Sequence, residues 1–548
     1  MESRREFIKK AAMLSGAAGV LGMLPESIQK AMAINPEAGT TYLDAEHIVV
    51  LMQENRSFDH SYGTLRGVRG FNDPRAITLP NKNKVWLQTN AEGQTYTPFR
   101  LNIKDTKATW MSALPHSWEN QVDARNNGKY NRWLDVKRSG NKEYSKMPLT
   151  MGYYDRQDIP FYYALADGFT VCDQNFCSSL TGTTPNRLYL WSGTIREKPN
   201  INSKANVLNS DVTDTKEASW TTFPERLEDE GISWQIYQNE LSIETGFTGE
   251  EEEWLANFTN NPIEWFSQYN VRFSTGYNNY MKKAILSLPK EIAELEEKVK
   301  TLSGKELEQA TKTLANKKEE LEVIREDIVK WSPENFEKLS QREKNLHNKA
   351  FSTNINDPDY RSIATLNYKD EGVDREMKVP KGDVLHQFRQ DVRDKKLPTI
   401  SWVIAPENFS DHPGAPWYGA WYISEMMDIL TENPDVWKKT IFIVCYDEND
   451  GYFDHVPPFT APHPDKHDGL VSEGIDTGAE HVLLEEEYKR HKGAKEKARA
   501  GTIGLGFRVP LLIASPWSRG GYVNSEVFDH TSILQLMENF LQHKTGKK

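Results

Sequence analysis

The sequence predicts an α/β fold in which a central, mostly parallel sheet is flanked by helices and carries an inserted helical hairpin. Three observations predict it. Two short runs, 47–53 and 441–446, are nearly continuous in apolar, β-branched and aromatic residues, the pattern of strands covered on both faces. Strand-like runs at 168–172, 233–237, 400–405 and 509–514 recur along the chain, with helix-like stretches such as 420–430 and 532–541 among them. From about 290 to 330 the composition shifts to Glu, Lys, Leu and Ala with apolar residues stepping by three and four.

Taken in order, the chain opens on Ser3-Arg4-Arg5-Glu6-Phe7-Ile8-Lys9, a twin-arginine pattern. A modestly apolar stretch from 11 to 24 and a small-residue site, Ala31-Met32-Ala33, follow it. Residues 1–33 therefore read as a signal peptide for twin-arginine export, outside the mature fold. The protein is expected to be periplasmic or secreted. No later segment has the roughly 20 apolar residues that crossing a bilayer needs, so no transmembrane segment is expected. The first part of the α/β domain is assigned to 34–280 and the second to 350–548, with the hairpin at 281–349 between them. Its seam runs Ile292, Leu295, Val299, Leu302, then Leu307, Ala310, Leu314, then Leu321, Ile324, Ile328. Ser303-Gly304 breaks the phase, and glycine suits a helix end. An antiparallel pair with a charge-rich, solvated outer face is expected.

Composition narrows the partners. A net charge of −12 over 548 residues argues against nucleic acid, whose phosphates demand basic patches. Three cysteines do not make a disulfide scaffold; Cys172 and Cys177 are near enough in sequence to bridge, whereas Cys445 reads as a small buried apolar residue.

The candidate site begins where the first and fifth strand-like runs end. Ligands in open α/β sheets bind outside the carboxyl ends of strands. There Glu54 and Asn55 follow one run, and Asp447 and Glu448 follow the other, a set of hard oxygen donors fit for a metal ion. The hydroxyl-rich stretch 178–187 enters a helix-like run through Thr183-Thr184-Pro185, and a helix start aims free N–H groups at an anion. A threonine there is a candidate nucleophile. Loop histidines His116, His412, His455 and His530 supply proton-transfer and anion-binding groups. Trp417 and Tyr418 follow His412 closely and are candidates for a wall around a quaternary ammonium group, while Trp421 and Tyr422 read as core of the next helix.

Six ordered motifs carry a resemblance. They are Gln53-Glu54-Asn55-Arg56-Ser57-Phe58-Asp59-His60, Pro115-His116-Ser117-Trp118, Thr183-Thr184-Pro185-Asn186-Arg187, Ser410-Asp411-His412-Pro413, the run from Asp447 to His455, and Phe528-Asp529-His530-Thr531-Ser532. Together they resemble the bacterial phospholipase C and acid phosphatase family, the phosphoesterases of the alkaline-phosphatase-like superfamily, from about 42 to 541. The resemblance implies one divalent or transition metal ion held by Glu54, Asn55, Asp447 and Glu448, with Thr183 joining them as nucleophile. It implies that His116, His412 and His455 surround the phosphoryl group and the leaving oxygen. The implied reaction is hydrolysis of phospholipids such as phosphatidylcholine to diacylglycerol and a phosphorylated headgroup through a phospho-Thr intermediate. A soluble phosphomonoester is the alternative substrate. Trp417 and Tyr418 would then favour choline esters over glycerol or serine esters. Longer family members carry small β-rich domains beyond the catalytic one, whereas this sequence ends close behind the last motif.

Overall fold

The computed structural model describes residues 24–103, 112–370, 372–415, 418–464, 469–492 and 494–547. In chain order its main strands are β1 (His47–Gln53), β2 (Thr170–Cys172), β3 (Trp234–Gln238), β4 (Ile363–Asp370), β5 (Val373–Pro380), β6 (Ile400–Ile404), β7 (Thr440–Tyr446), β8 (Leu511–Ala514) and β9 (Val523–Asn524). Seven of them form one sheet in the order β9-β2-β8-β7-β1-β6-β3. The pairs from β7 through β1 and β6 to β3 are parallel, and β8 runs against both of its neighbours. The six strand-like runs of the sequence are thus all in one sheet. β9, two residues long, carries no apolar pattern that would announce it.

The continuous apolar pattern of β1 and β7 has a physical reason. Ile48, Val50 and Met52 pack on one face with Trp191, Trp234 and Trp402, while Val49 and Leu51 pack on the other with Tyr422, Trp437 and Phe442. Alternate residues of a central strand point to opposite faces, so both sets must be apolar. The helices that matter for the site are α1 (Glu26–Ala33), α2 (Thr183–Ser192), α3 (Thr275–Val299), α4 (Gly304–Lys330), α5 (Tyr418–Glu432) and α6 (His530–Thr545). α6 packs on α2, and α5 packs on α1.

Helices α3 and α4 lie side by side, joined at 300–303. Ile292, Leu321 and Ile324 are buried, and Lys317–Glu291 and Lys318–Glu296 ion pairs at 2.6 Å tie the outer faces. α3 begins at Thr275, earlier than the heptad seam suggests, because Tyr277, Met281, Ala284 and Leu288 extend the buried stripe toward the sheet domain. Cys172 and Cys177 are free, buried thiols rather than a bridged pair. Among the described residues no helix is long and apolar enough to cross a membrane.

The twin-arginine pattern lies outside the described residues, but the end of the segment set aside as a signal peptide does not. α1 is part of the fold: Ile28 and Ala31 are fully buried, and the Trp437 indole Nε1 donates to the Ala31 carbonyl at 2.9 Å. Lys30 pairs with Asp428 on α5 at 2.9 Å, and Arg519 Nη2 donates to Asn35 Oδ1 at the same distance. Burying Leu24, Ile28 and Ala31 stabilises the protein by about 4 kcal/mol at 1.5–3 kcal/mol per large side chain. A chain beginning at Ile34 should therefore melt several degrees below one beginning at Leu24, with increased Trp437 exposure to a fluorescence quencher. Equal melting temperatures would mean that α1 only decorates the surface.

Candidate active site

β1 and β7 are paired in level register, with Gln53 opposite Tyr446. The chains therefore leave the sheet together, and the bonds continue beyond it: Asp447 N–H donates to Gln53 O, and Arg56 N–H to Glu448 O, both at 3.0 Å. This brings Glu54, Asn55, Asp447 and Glu448 into one buried cluster. Asn55 and Asp450 adopt left-handed backbone conformations (φ +58° and +56°), which short polar side chains tolerate better than most. Asn55 N–H donates to Asp447 Oδ1 at 3.2 Å, and its side-chain amide to Asp450 Oδ1 at 3.4 Å.

The cluster has the chemistry of a cation site. Both carboxylate oxygens of Glu54, both of Glu448 and the amide oxygen of Asn55 are buried without a hydrogen-bond partner. Buried acceptors are nearly always satisfied, and an uncompensated buried charge costs several kcal/mol. Burial, followed by the charge of Asp447, pushes Glu54 up to about 8. Burial also drives Glu448 well above the carboxylate range. A divalent ion would satisfy these oxygens and restore their charge. The donor set fits.

Arg187 brings a buried guanidinium to this cluster. Its Nε donates to Asp447 Oδ2 at 3.0 Å, its Nη1 to the Asn260 carbonyl at 3.0 Å, and its Nη2 stands 3.7 Å from Glu54 Oε1. Arg187 and Thr183 sit one helical turn apart on α2. Thr183 is the first residue of that helix, after the cap Gly182, and is buried. Asn186 fixes the preceding loop. Its Oδ1 accepts from Ser179 N–H (2.9 Å), and its Nδ2 donates to the carbonyls of Thr181 (3.3 Å) and Gly182 (3.2 Å). The Pro-Asn-Arg motif thus has a division of labour: asparagine shapes the loop that presents Thr183, and arginine balances the carboxylates beneath it.

His116 is brought to this helix start. A side chain added at Gly182 would meet its Cδ2 at 3.5 Å. Its Nδ1 lies 2.6 Å from the Leu114 carbonyl and 3.1 Å from Asp450 Oδ1, and its Nε2 lies 3.9 Å from Glu448 Oε1. Burial opposes its charge, but Glu448 and Asp450 outweigh burial and push the imidazole up to about 10. His116, Glu448 and Asp450 form a group able to hold a metal ion. Gly451 lets this loop approach, since a Cβ there would lie 2.4 Å from Leu114 Cβ. Behind it, Lys137 Nζ donates to Gln121 Oε1 (2.6 Å) and Pro115 O (2.7 Å), and burial draws the amine down to about 7.

His412 borders a cavity of about 470 Å³ that also meets Trp254, Met377, Glu407 and Tyr418. Its ring is edge-on to Phe258 at 5.7 Å, and burial draws it down to about 4, leaving it neutral. Tyr418 packs against Trp254 with ring centres 5.0 Å apart. Trp417 lies outside the described residues. Tyr422 is buried as expected of a core residue, but Trp421 is 48 % exposed at the start of α5, a correction to its reading as core.

His455 departs from expectation. Its Nδ1 is 2.6 Å from Asp59 Oδ2 and its Nε2 3.4 Å from Asp73 Oδ2, with the ring tilted against Trp86. Both ring nitrogens are taken up, so this arrangement leaves none for a phosphoryl group or a leaving oxygen. Asp59, Asp454 and His455 could also surround a metal ion, yet Arg508 already occupies the position of a cation there. Its Nε and Nη2 bond Asp454 at 2.9 and 3.0 Å, and Nη2 reaches Asp59 at 3.0 Å. His530 opens α6 and braces the site, with Nε2 2.9 Å from the Tyr446 carbonyl and Nδ1 accepting from Ser178 N–H at 3.5 Å. Asp411, the neighbour of His412, accepts from the Tyr162 and Tyr446 hydroxyls at 2.5–2.6 Å.

Sequence reasoning passed over Arg187, Asn186 and Asp450 although each stands in a quoted motif. Lys137 and Gln121 carry no local signal.

A model of the phosphoesterase family matches residues 45–302 and 332–542. A non-hemolytic phospholipase C of Burkholderia pseudomallei is 34% identical, with 98% of this chain and 61% of the relative covered. A hemolytic phospholipase C of Pseudomonas aeruginosa is 33% identical, covering 98% and 58%. Phospholipase C A of Mycobacterium tuberculosis is 32% identical, covering 98% and 80%. The chain thus spans about three fifths of the length of the first two. With the metal-fit cluster, the threonine at a helix start and the ordered motifs lying inside the matched region, the chain belongs to the phosphoesterase family.

Proposed function

We propose that this chain is a metal-dependent phosphoesterase of phospholipase C type. It hydrolyses phosphodiester bonds of phospholipids such as phosphatidylcholine to diacylglycerol and a phosphorylated headgroup. The observation that carries the reading is the set of orphaned buried oxygens on Glu54, Asn55 and Glu448, in a cluster bonded through Asp447 to Arg187, one helical turn from Thr183, in a chain related to named phospholipases C. Glu54, Asn55, Asp447 and Glu448, with Thr183, would hold the ion, and their oxygen chemistry favours a hard cation such as Ca²⁺ or Mn²⁺. When bound, the ion would ease formation of the threonine alkoxide and offset phosphoryl charge.

The chain's own groups do the rest. Thr183 Oγ1, its proton lost to solvent, attacks phosphorus and the bond to the diacylglycerol oxygen breaks, leaving Thr183 esterified to the phosphorylated headgroup. His116, whose Nδ1 lies 3.1 Å from Asp450 Oδ1, gives a proton to the departing oxygen. The neutral imidazole then takes a proton from the water that hydrolyses this ester, freeing Thr183 and the phosphorylated headgroup. His412, neutral and at the edge of the cavity, donates a hydrogen bond to a phosphoryl oxygen, and Tyr418 lines the way in. The alkaline-phosphatase-like architecture, with the helical hairpin as an insertion, belongs to the same reading; the family match breaks at 303–331, across α4, while α3 lies within it. So does twin-arginine export to the periplasm or beyond, supported by Arg4-Arg5.

The test is a substrate panel run with metal analysis of the purified protein. Phosphatidylcholine should be cleaved faster than p-nitrophenyl phosphate, and chelation should abolish turnover, with readdition of one metal restoring it. Faster cleavage of the phosphomonoester would make the chain an acid phosphatase instead. The histidine roles separate in the same assay. His116→Gln should lower kcat by about two to three powers of ten, the usual size of a lost general acid. His455→Gln should lower the melting temperature while kcat of the folded fraction stays within a few fold. The reverse pattern would restore His455 to the reacting centre.

A further inference from the structure

The strands β4 and β5 form a separate two-stranded hairpin, paired from Ile363 opposite Pro380 to Asp370 opposite Val373. Directly opposed residues of an antiparallel pair share a face. One face therefore carries Ala364, Leu366, Tyr368, Val373, Met377 and Val379, together with Arg375, whose long stem suits an apolar surface with its head in water. The other carries Thr365, Lys369, Asp374, Glu376 and Lys378, with Lys369 paired to Asp374 at 3.3 Å and Lys378 donating to Thr365 at 2.9 Å. The hairpin is amphipathic, yet no described residue covers its apolar face fully: Leu366 is 47 % exposed, Tyr368 41 % and Val373 55 %.

That face is continuous with the candidate active site. Met377, opposite Leu366, packs against the core and borders the cavity that holds His412 and Tyr418. Tyr368 lies near enough to Tyr418 for its charge to be felt there. Trp421, half-exposed, lies one helical turn beyond Tyr418. An apolar strip thus runs from the cavity out along the hairpin into solvent, with Tyr and Trp beside it, the residue types favoured where apolar and wet environments meet.

We propose that the β4–β5 hairpin is a docking arm that lays this face on a zwitterionic phospholipid surface and so sets the cavity against the headgroups. The inference rests on the phospholipase reading above. Charge chooses the surface: a chain of net charge −12 gains nothing from anionic lipid, and the ion pair on the hairpin's polar face leaves contact to the apolar side chains.

The experiment uses the full, metal-loaded chain and the L366E/V373E variant, neither residue touching the cavity. Co-sedimentation with phosphatidylcholine vesicles should show binding by the unmodified chain and about tenfold weaker binding by the variant, because two charges replace interfacial apolar groups. Turnover of vesicle phosphatidylcholine should fall to match, while turnover of dihexanoyl phosphatidylcholine below its micelle threshold stays within about twofold, since a dispersed substrate needs no surface docking. The proposal is overturned if the unmodified chain does not bind vesicles, if the variant binds equally, or if both substrates are lost together. A dimer in solution that the variant makes monomeric would overturn it in favour of a second copy of the chain. Hairpin-dependent binding without cleavage of either lipid would leave the arm standing and remove the phospholipase reading.

Discussion

Thr183→Ala should lower kcat by at least about three powers of ten, or roughly 4 kcal/mol of barrier, because the variant lacks the atom that forms the covalent bond. The neighbouring groups would remain. Asn186 holds the loop through Ser179, Thr181 and Gly182, and Arg187 stays bonded to Asp447, so neither depends on the threonine hydroxyl. The melting temperature should therefore change little, and the metal should still bind through Glu54, Asn55, Asp447 and Glu448, more weakly for the loss of one ligand. Thr183→Ser should recover much of the rate, since it keeps an oxygen at the same position on the helix start. A Thr183→Ala protein that keeps more than about a tenth of turnover would remove Thr183 from the chemistry, a loss of under about 1.4 kcal/mol being too small for a nucleophile.

Arg508→Met should destabilise the fold by about 3–5 kcal/mol, the cost of leaving a buried ion pair without one partner. Arg508 is fully buried and bonds Asp454 through two nitrogens, Asp59 through one, and the carbonyls of Arg69 and Asp173 at 2.9 and 2.7 Å. Methionine keeps an unbranched stem but replaces none of these bonds, nor the guanidinium that lies over Phe58. Burial already raises Asp454, and without Arg508 its folded-state pKa rises further. A carboxylate whose folded pKa lies above its unfolded value is stabilising below the unfolded pKa and loses that contribution as pH rises through the interval. The deficit of the variant should accordingly shrink as pH falls toward about 4, where unfolded aspartates take up protons. Urea melts at neutral and acid pH measure this. A deficit independent of pH would show that packing, not charge, is lost.

Much of the site was legible because its framework is a repeated local signal. Two strands that must be apolar on both faces announce themselves, and the polar residues that follow them stand at strand ends by necessity. Level pairing of β1 and β7, which turns two clusters into one, is a tertiary fact. The same limit explains the rest. Nothing in Asp454-His455 tells that Asp59 and Asp73, from far upstream, take both ring nitrogens. Arg187 reads locally as one more helical arginine, and its partner Asp447 lies 260 residues away. The antiparallel course of β8 and the exposure of Trp421 likewise depend on neighbours that no local pattern names. α1 was set aside because its composition fits a signal peptide, yet the side chains that make it modestly apolar are those it buries against α5 and Trp437.

The most direct test of the covalent mechanism is to acid-quench the metal-loaded protein during turnover of a phosphodiester and map the peptides by mass spectrometry. A mass gain equal to the phosphorylated headgroup is expected on the peptide containing Thr183, absent without substrate and absent in Thr183→Ala. Steady turnover with no such adduct, or with the adduct on another residue, would contradict the covalent mechanism.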